Sequence, residues 1–290
     1  MNKEWISLHI FYHNFSRLDF LLNNLIYPLK NKYLQGSQYF FLRYWEGGPH
    51  IRLRVTDKNL QLDTIIQHIE EFLSKYPDIS TITKNDFYGQ RMNLEREDIK
   101  KYKWYENNSI KVIPYHIEND YFTKSNEDMI HVLLHCSSEF CLDLLGQLHD
   151  KEKKIQAAIY FTLILISYLM NFKHEQILDF SYNHSKSWAS ISDKDLIQNK
   201  AKRYIENNKV SFYKKINKWD EFLSNNGFFE QIVFNCKKIQ YENNFSDDTN
   251  YFLGGYIHTT MNRIGLTPIE ETFVLAIVHE AVDKKLFLAK

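Results

Sequence analysis

The chain has 290 residues, enough for one large domain or two small ones with a sizeable core. Lys plus Arg and Asp plus Glu both number 36, so no net field attracts nucleic acid or an anionic membrane, and any anion site has to be local. The odd set of Cys136, Cys141 and Cys236, with no CxxC pair, argues against a disulfide framework and fits a reducing compartment.

The opening "MNKEWISLHIFY" enters a strand pattern directly, without the apolar core and small-residue cleavage site of a signal peptide, and a cytoplasmic location is expected. Leu18 to Asn31 is expected as a helix. The next stretch, "YFFLRYWEGGPHIRLRV" from Tyr39 to Val55, has aromatic and branched runs flanking Gly47-Gly48, the pattern of a hairpin with a tight turn. A loop of Gly47-Gly48 or of Glu46 to Pro49 gives the same register, with Trp45 opposite His50, Arg43 opposite Arg52 and Phe41 opposite Arg54. Alternation then puts Phe40, Leu42, Tyr44, Ile51, Leu53 and Val55 on a core face, and Arg43, Arg52, Arg54, His50, Trp45 and Phe41 on the other. That second face is either a solvated or internally paired surface, or a site whose guanidinium forks grip carboxylates, phosphates or amide oxygens.

Leu60 to Lys75 is a second expected helix, ended by Tyr76-Pro77, and Ile110 to Ile117 a further strand. The order strand, helix, strand, strand, helix, strand predicts an α+β protein with a ferredoxin-like βαββαβ sheet layer followed by a mainly helical C-terminal part. Helices are expected over Glu127 to Leu148, Lys153 to Phe172, Asp193 to Asn208, Phe212 to Leu223, Phe228 to Tyr241 and twice near the C-terminus, with "NHSKSWASISDK" and "ENNFSDDTN" as loops. The apolar run Ala157 to Phe172 is shorter than a membrane span needs and is expected as a central buried helix. Residues 1–290 are expected to work as one domain, with a sheet-containing layer over 1–120 and a helical layer over 121–290.

Nucleotide-binding and serine-hydrolase signatures are absent: there is no GxGxxG, GxxxxGK[ST] or GxSxG. His131 and His135 have helical metal-pair spacing, but Val132 stands where a metalloprotease helix has its glutamate, and no metal is expected. The segment "YFLGGYIHTTMNRIGLTPIEETFVLAIV" is richer in chemistry, with Tyr251, Tyr256, His258, Asn262 and Arg263 ahead of a helix start at Thr267-Pro268 with Glu270 and Glu271. On a helix Tyr251, His258 and Asn262 share a face. The patch either pins helix ends or runs acid-base chemistry, with histidine exchanging protons and tyrosine donating to a developing oxyanion.

In order and spacing, "WISLHIFY", "FFLRYWEGGPHIRLR", "LLHCSSEF" and "YIHTTMNRIGL" resemble the domain found at the C-terminus of lantibiotic dehydratases and as a stand-alone protein in thiopeptide biosynthesis. The resemblance spans Trp5 to about Val282. It implies one of two activities: elimination of glutamate from glutamylated Ser or Thr, or pyridine synthesis, in which two dehydroalanines join by formal aza-[4+2] cycloaddition with loss of water and the leader peptide. Arg52 and Arg54 match the family's "HIRLR", and His258 the histidine of its "HMxxNR". Eliminating members carry an "ExxRYGG"-like stretch after the fourth strand. Here "YHIENDYFTK" has no arginine at that slot near Asp120, and Phe122 and Thr123 replace the glycines.

The resemblance therefore implies a thiopeptide macrocyclase, a pyridine synthase, ahead of a stand-alone glutamate-eliminating enzyme or a non-catalytic leader-binding subunit. His258, Tyr256 and Tyr251 are the expected catalytic residues, and Arg43, Arg52, Arg54, Trp45 and His50 the expected substrate-binding ones, gathered in a common cavity. The implied partner is a precursor peptide, a leader plus an azole-containing core, with no cofactor, no metal, no nucleic acid and no membrane, and with a homodimer among the options.

Overall fold

Four strands form one sheet in the computed structural model of the protein, which describes residues 5–56, 61–91, 96–116, 127–148, 150–187, 194–242 and 247–287. They are β1 (Ile6–Phe11), β2 (Gln38–Tyr44), β3 (His50–Thr56) and β4 (Ser109–Val112), in the order β2-β3-β1-β4 with every neighbouring pair antiparallel. Helical segments α1 (Leu18–Leu21) and α2 (Tyr27–Tyr33) lie between β1 and β2, joined by a wider π turn over Leu22–Ile26. Pro28, which lacks an amide hydrogen, falls just beyond that turn. The second crossover carries α3 (Leu62–Lys75) and the short α4 (Arg96–Lys101). This is the expected ferredoxin-like layer. β4 is shorter than the run to Ile117 anticipated, and Pro114 follows two residues after its end.

The chain divides into two compact units, Met1–Ile117 and Glu118–Lys290. In the first, Leu8, Ile10, Phe41, Ile51, Leu53 and Val55 share one face of the sheet and are fully buried, as are Leu18, Leu21, Leu22, Leu25, Ile65 and Ile69 of the helices. The expected register of the hairpin is wrong by one residue. Tyr44 pairs with His50, Leu42 with Arg52 and Phe40 with Arg54. The cause is an odd loop: five residues, Trp45 to Pro49, separate the strands, closed by Gly48 N donating to Trp45 O at 3.1 Å. Gly47 and Gly48 take φ of 88° and 108°, a region that side chains resist. A one-residue slip exchanges faces. Arg43 and Phe41 therefore lie on the opposite face from Arg52 and Arg54, which share theirs with Phe40, Leu42 and Tyr44.

The second unit is helical: α5 (Glu127–Leu145), α6 (Lys151–Leu169), α7 (His174–Ser187), α8 (Lys194–Ser224), α9 (Gly227–Glu242), α10 (Asp247–Ile264) and α11 (Pro268–Asp283). The apolar run expected at the centre is α6, buried from Ala157 to Ser167. No described helix is long and apolar enough to cross a membrane. α11 packs against α6, α7 and α8, while α5 packs against α9 and α10. Two expectations need correction. α7 takes up the start of the supposed "NHSKSW" loop, and the two helices expected over 193–223 are one helix of 31 residues. Its buried Ala201, Ile205, Phe212, Ile216 and Leu223 keep one face apolar straight through Asn207-Asn208. Packing along that stripe overrides the weak helix preference of the asparagines.

Candidate functional site

On the first unit the face opposite the helices carries His9 and Phe11 of β1, Tyr44 of β2, and His50, Arg52 and Arg54 of β3. The Arg52 guanidinium stacks on Tyr44, with Cζ 3.3 Å from the ring centroid, and its Nε donates to His50 Nε2 at 3.3 Å. His50 Nδ1 lies 2.7 Å from the carbonyl of Gly48, so Nδ1 carries the proton and Nε2 is left to accept from Arg52. Arg54 sits over Phe40 and Tyr115, with Cζ 5.4 and 4.9 Å from their centroids. Aromatic faces hold both guanidiniums in place.

The rings of His9 and His50 stack at 4.9 Å. Burial first, then the neighbouring His50 and the charge of Arg52 and Arg54, pushes His9 down to about 2. Burial also takes His50 down to about 3, against the pull of the Gly48 carbonyl. Both are neutral at working pH, so His50 serves here as a hydrogen-bonding prop for Arg52, not as a proton carrier.

Arg43 lies on the helix side, where Nη2 bonds Asp19 Oδ1 at 2.6 Å and only 6 % of the side chain is exposed. Trp45 has left the strand. It packs into an aromatic cluster with Phe87, Tyr88, Ile99, Tyr102 and Trp104, and Tyr88 Oη both accepts from Gly47 N at 2.8 Å and donates to Trp45 O at 3.4 Å. That cluster fixes the five-residue loop and with it the register that selects the arginines. The segment near Asp120, Phe122 and Thr123 lies outside the described residues.

On the second unit, α10 brings His258 to α11. His258 Nδ1 is 2.7 Å from Glu271 Oε2, with 19 % of the histidine side chain exposed and 3 % of the glutamate. α11 begins with a full capping box, in which Thr267 and Glu270 bond each other's backbone and Pro268 follows the cap. Glu270 is also engaged by Lys151 at 2.8 Å. Glu271, next along, is thereby turned inward as a buried carboxylate.

Tyr256 is not brought to His258. Residues two apart point to opposite sides of a helix. Tyr256 is fully buried, its hydroxyl donates to Leu133 O at 3.4 Å, and burial raises its pKa well above the usual phenol range. Tyr251 keeps its place on the His258 side by spacing and is 59 % exposed.

The signals that sequence reasoning left unassigned are Glu271 and the buried network under α10. Arg263, with no exposed surface, donates from Nε to Ser138 Oγ at 3.1 Å and from Nη1 to Ser137 Oγ at 3.4 Å. Ser137 Oγ in turn lies 2.9 Å from Thr260 Oγ1. The serines of "LLHCSSEF" and the arginine of "MNRIGL" thus tie α5 to α10 and fix the helix that presents His258. Glu271 could have been found from the cap itself, since the capping box consumes only one of two adjacent acids. His131 is buried in α5, and no group of three or more metal-ligating side chains occurs among the described residues.

The family model described as Lantibiotic biosynthesis dehydratase C-term matches residues 5–282. Among solved structures, the chain is similar to the pyridine synthase TbtD from thiomuracin biosynthesis, with 13 % identity, a TM-score of 0.76 and 98 % of each chain covered. It is similar to TsrL at 12 % identity and a TM-score of 0.64, over 98 % of this chain and 95 % of that one. The tRNA-dependent lantibiotic dehydratase MibB from Microbispora sp. 107891 matches at 14 % identity and a TM-score of 0.63, over 98 % of this chain but 28 % of its own. At these identities the likeness is one of fold. Comparison with curated protein sequences gave no match.

Proposed function

Since the chain belongs to the lantibiotic biosynthesis dehydratase C-terminal family, we propose that it acts on a modified precursor peptide as a pyridine synthase, joining two dehydroalanines by a formal aza-[4+2] cycloaddition with loss of water and the leader. The observation that carries this reading is the stretch "YHIENDYFTK", which has no arginine where the resemblance implies that eliminating members hold the glutamyl carboxylate. The fold likeness to TbtD over 98 % of both chains supports it.

The chemistry asks little of the protein beyond placement. One amide is held as its iminol beside the second alkene, and orientation lowers most of the barrier. Arg52 and Arg54, fixed on their aromatic beds, suit two-point binding of peptide carbonyls or acidic leader side chains. His258 is the proton carrier for dehydration and leader expulsion, and exposed Tyr251 is a second donor. Arg43, held by Asp19, and Tyr256, held against α5, have structural parts in this scheme. The two units act together as one functional domain.

The likeness to MibB favours a second reading, glutamate elimination from a glutamylated peptide. One experiment separates the two. The pure protein is incubated with a leader-bearing, azole-containing, bis-dehydroalanine peptide and the masses are followed. Release of the intact leader as a carboxamide, with a core product absorbing as a pyridine, is the expected result. Glutamate release from a glutamylated peptide would establish elimination instead, and binding without a mass change would leave a leader-binding subunit.

A further inference from the structure

We infer that Glu271 is the positioning residue for His258: it holds the proton on Nδ1 and leaves Nε2 as the atom that exchanges protons with the peptide. This deepens the pyridine synthase reading and rests on it for the substrate, though not for the geometry. The Glu271 side chain is 3 % exposed and its Oε2 lies 2.7 Å from His258 Nδ1. A carboxylate buried to that degree is retained only with a hydrogen-bonding partner, and here the partner is the imidazole. Its place in the first turn of α11 adds the favourable end of the helix dipole.

Both members of the pair are fixed from behind. On the acid's side, the Thr267–Glu270 capping box and the Lys151–Glu270 ion pair set where α11 begins. On the histidine's side, Thr259 and Thr260 bond back to the carbonyl of Tyr256, and Arg263 anchors α10 to the serines of α5. The two helix backbones that carry the pair are thus fixed by contacts independent of it.

An acceptor this close to Nδ1 selects the Nδ1–H tautomer, as carboxylates behind catalytic and metal-bound histidines do. The opposite edge of the ring, Nε2, then carries the lone pair. In the proposed reaction Nε2 takes the proton given up by the ring carbon as the pyridine aromatises. It returns that proton to a departing group, so that hydroxide leaves as water or the leader's amide nitrogen leaves as a carboxamide, and the histidine ends neutral as it began. The Glu271 carboxylate, 2.7 Å from Nδ1, offsets the imidazolium that forms in between.

The test is the nitrogen spectrum of the full chain labelled with 15N-histidine, recorded at about pH 9, above the ordinary imidazole range, with the His258→Ala variant assigning the signals. The expected result is a His258 ring protonated on Nδ1 and bare on Nε2. Glu271→Gln, whose amide can donate to Nδ1, is expected to populate the Nε2–H form and to lower turnover on the bis-dehydroalanine peptide by about 10²- to 10⁴-fold with little change in KM. Glu271→Asp keeps the tautomer and part of the turnover. A wild-type ring protonated on Nε2, or a Glu271→Gln variant that keeps both the tautomer and the turnover, overturns the inference. Should Glu271→Gln fail to fold, the wild-type spectrum and Glu271→Asp decide alone. The expected spectrum from a protein that leaves the peptide unchanged would uphold the tautomer and sink the pyridine synthase reading.

Discussion

Replacing Gly254 by alanine tests whether packing or propensity governs α10. On propensity alone the change is favourable, by about 1 kcal/mol for glycine to alanine inside a helix. The structure opposes it. A Cβ built on Gly254 would collide with Cε1 of His184 and lie 2.7 Å from its Nδ1. That ring is held against the helix by its Nε2, 3.1 Å from Asn250 O, and by the Phe180 ring with centroids 4.1 Å apart. Displacing it gives up a hydrogen bond of about 1 kcal/mol and a ring contact of about the same size, and any residual overpacking costs about 1–3 kcal/mol more. The sum outweighs the helix gain, so Gly254→Ala is expected to destabilise by about 1–4 kcal/mol. Urea unfolding of the single variants and of the Gly254→Ala/His184→Ala pair closes a double-mutant cycle. With the ring gone, the sign should reverse and alanine should stabilise by up to about 1 kcal/mol. An alanine that stabilises equally in both backgrounds would refute the packing argument.

Acid should unfold the first unit through His9 and His50. Their folded pKa values lie below the unfolded one, so the unfolded chain takes up protons first and stability falls as pH drops below about 6.5. At about pH 5 each contributes a loss of up to about 2 kcal/mol relative to about pH 8, and His50→Gln should remove its share in paired urea titrations. For the Arg43–Asp19 pair, Asp19→Ala should cost about 1–2 kcal/mol, more than Arg43→Met, because it takes a carboxylate away from a buried guanidinium; equal losses in thermal melts would contradict this. Arg52→Lys keeps the charge but loses the Nε bond to His50 and the flat stack on Tyr44. Peptide turnover or affinity should fall by about tenfold, roughly 1.4 kcal/mol, at a temperature where both proteins stay folded, and a lowered melting temperature with turnover and affinity unchanged would mark the arginine as structural.

The layer order and the central α6 were legible because both rest on strong periodicity over whole elements. What escaped depended on single residues. Gly47-Gly48 advertises a two-residue turn, but the aromatic cluster around Trp45 and Tyr88 holds an odd number of residues out of the strands, and strand alternation shows nothing of that. α7 was hidden because Ile177 and Phe180 are its only buried large apolar residues among those described. His258 was found through the residues around it, whereas its partner Glu271 comes from the next helix, and pairing across two helices leaves no local spacing to read. Tyr256, expected in one cavity with His258, lies two residues away on the same helix, and that spacing turns its ring into the core.

The five-residue loop also bears on how this hairpin can change over evolutionary time. β3 is clamped between β1 and β2, so a single deletion in the loop has to be absorbed by β2. β2 would turn over: Arg43 would leave Asp19 and join Arg52 and Arg54, while Tyr44 would abandon its guanidinium for the apolar side. Losses or gains of two residues would keep every side chain on its present face. Loop length in this protein is therefore constrained by parity more than by size, and relatives with altered turns should differ from it in steps of two.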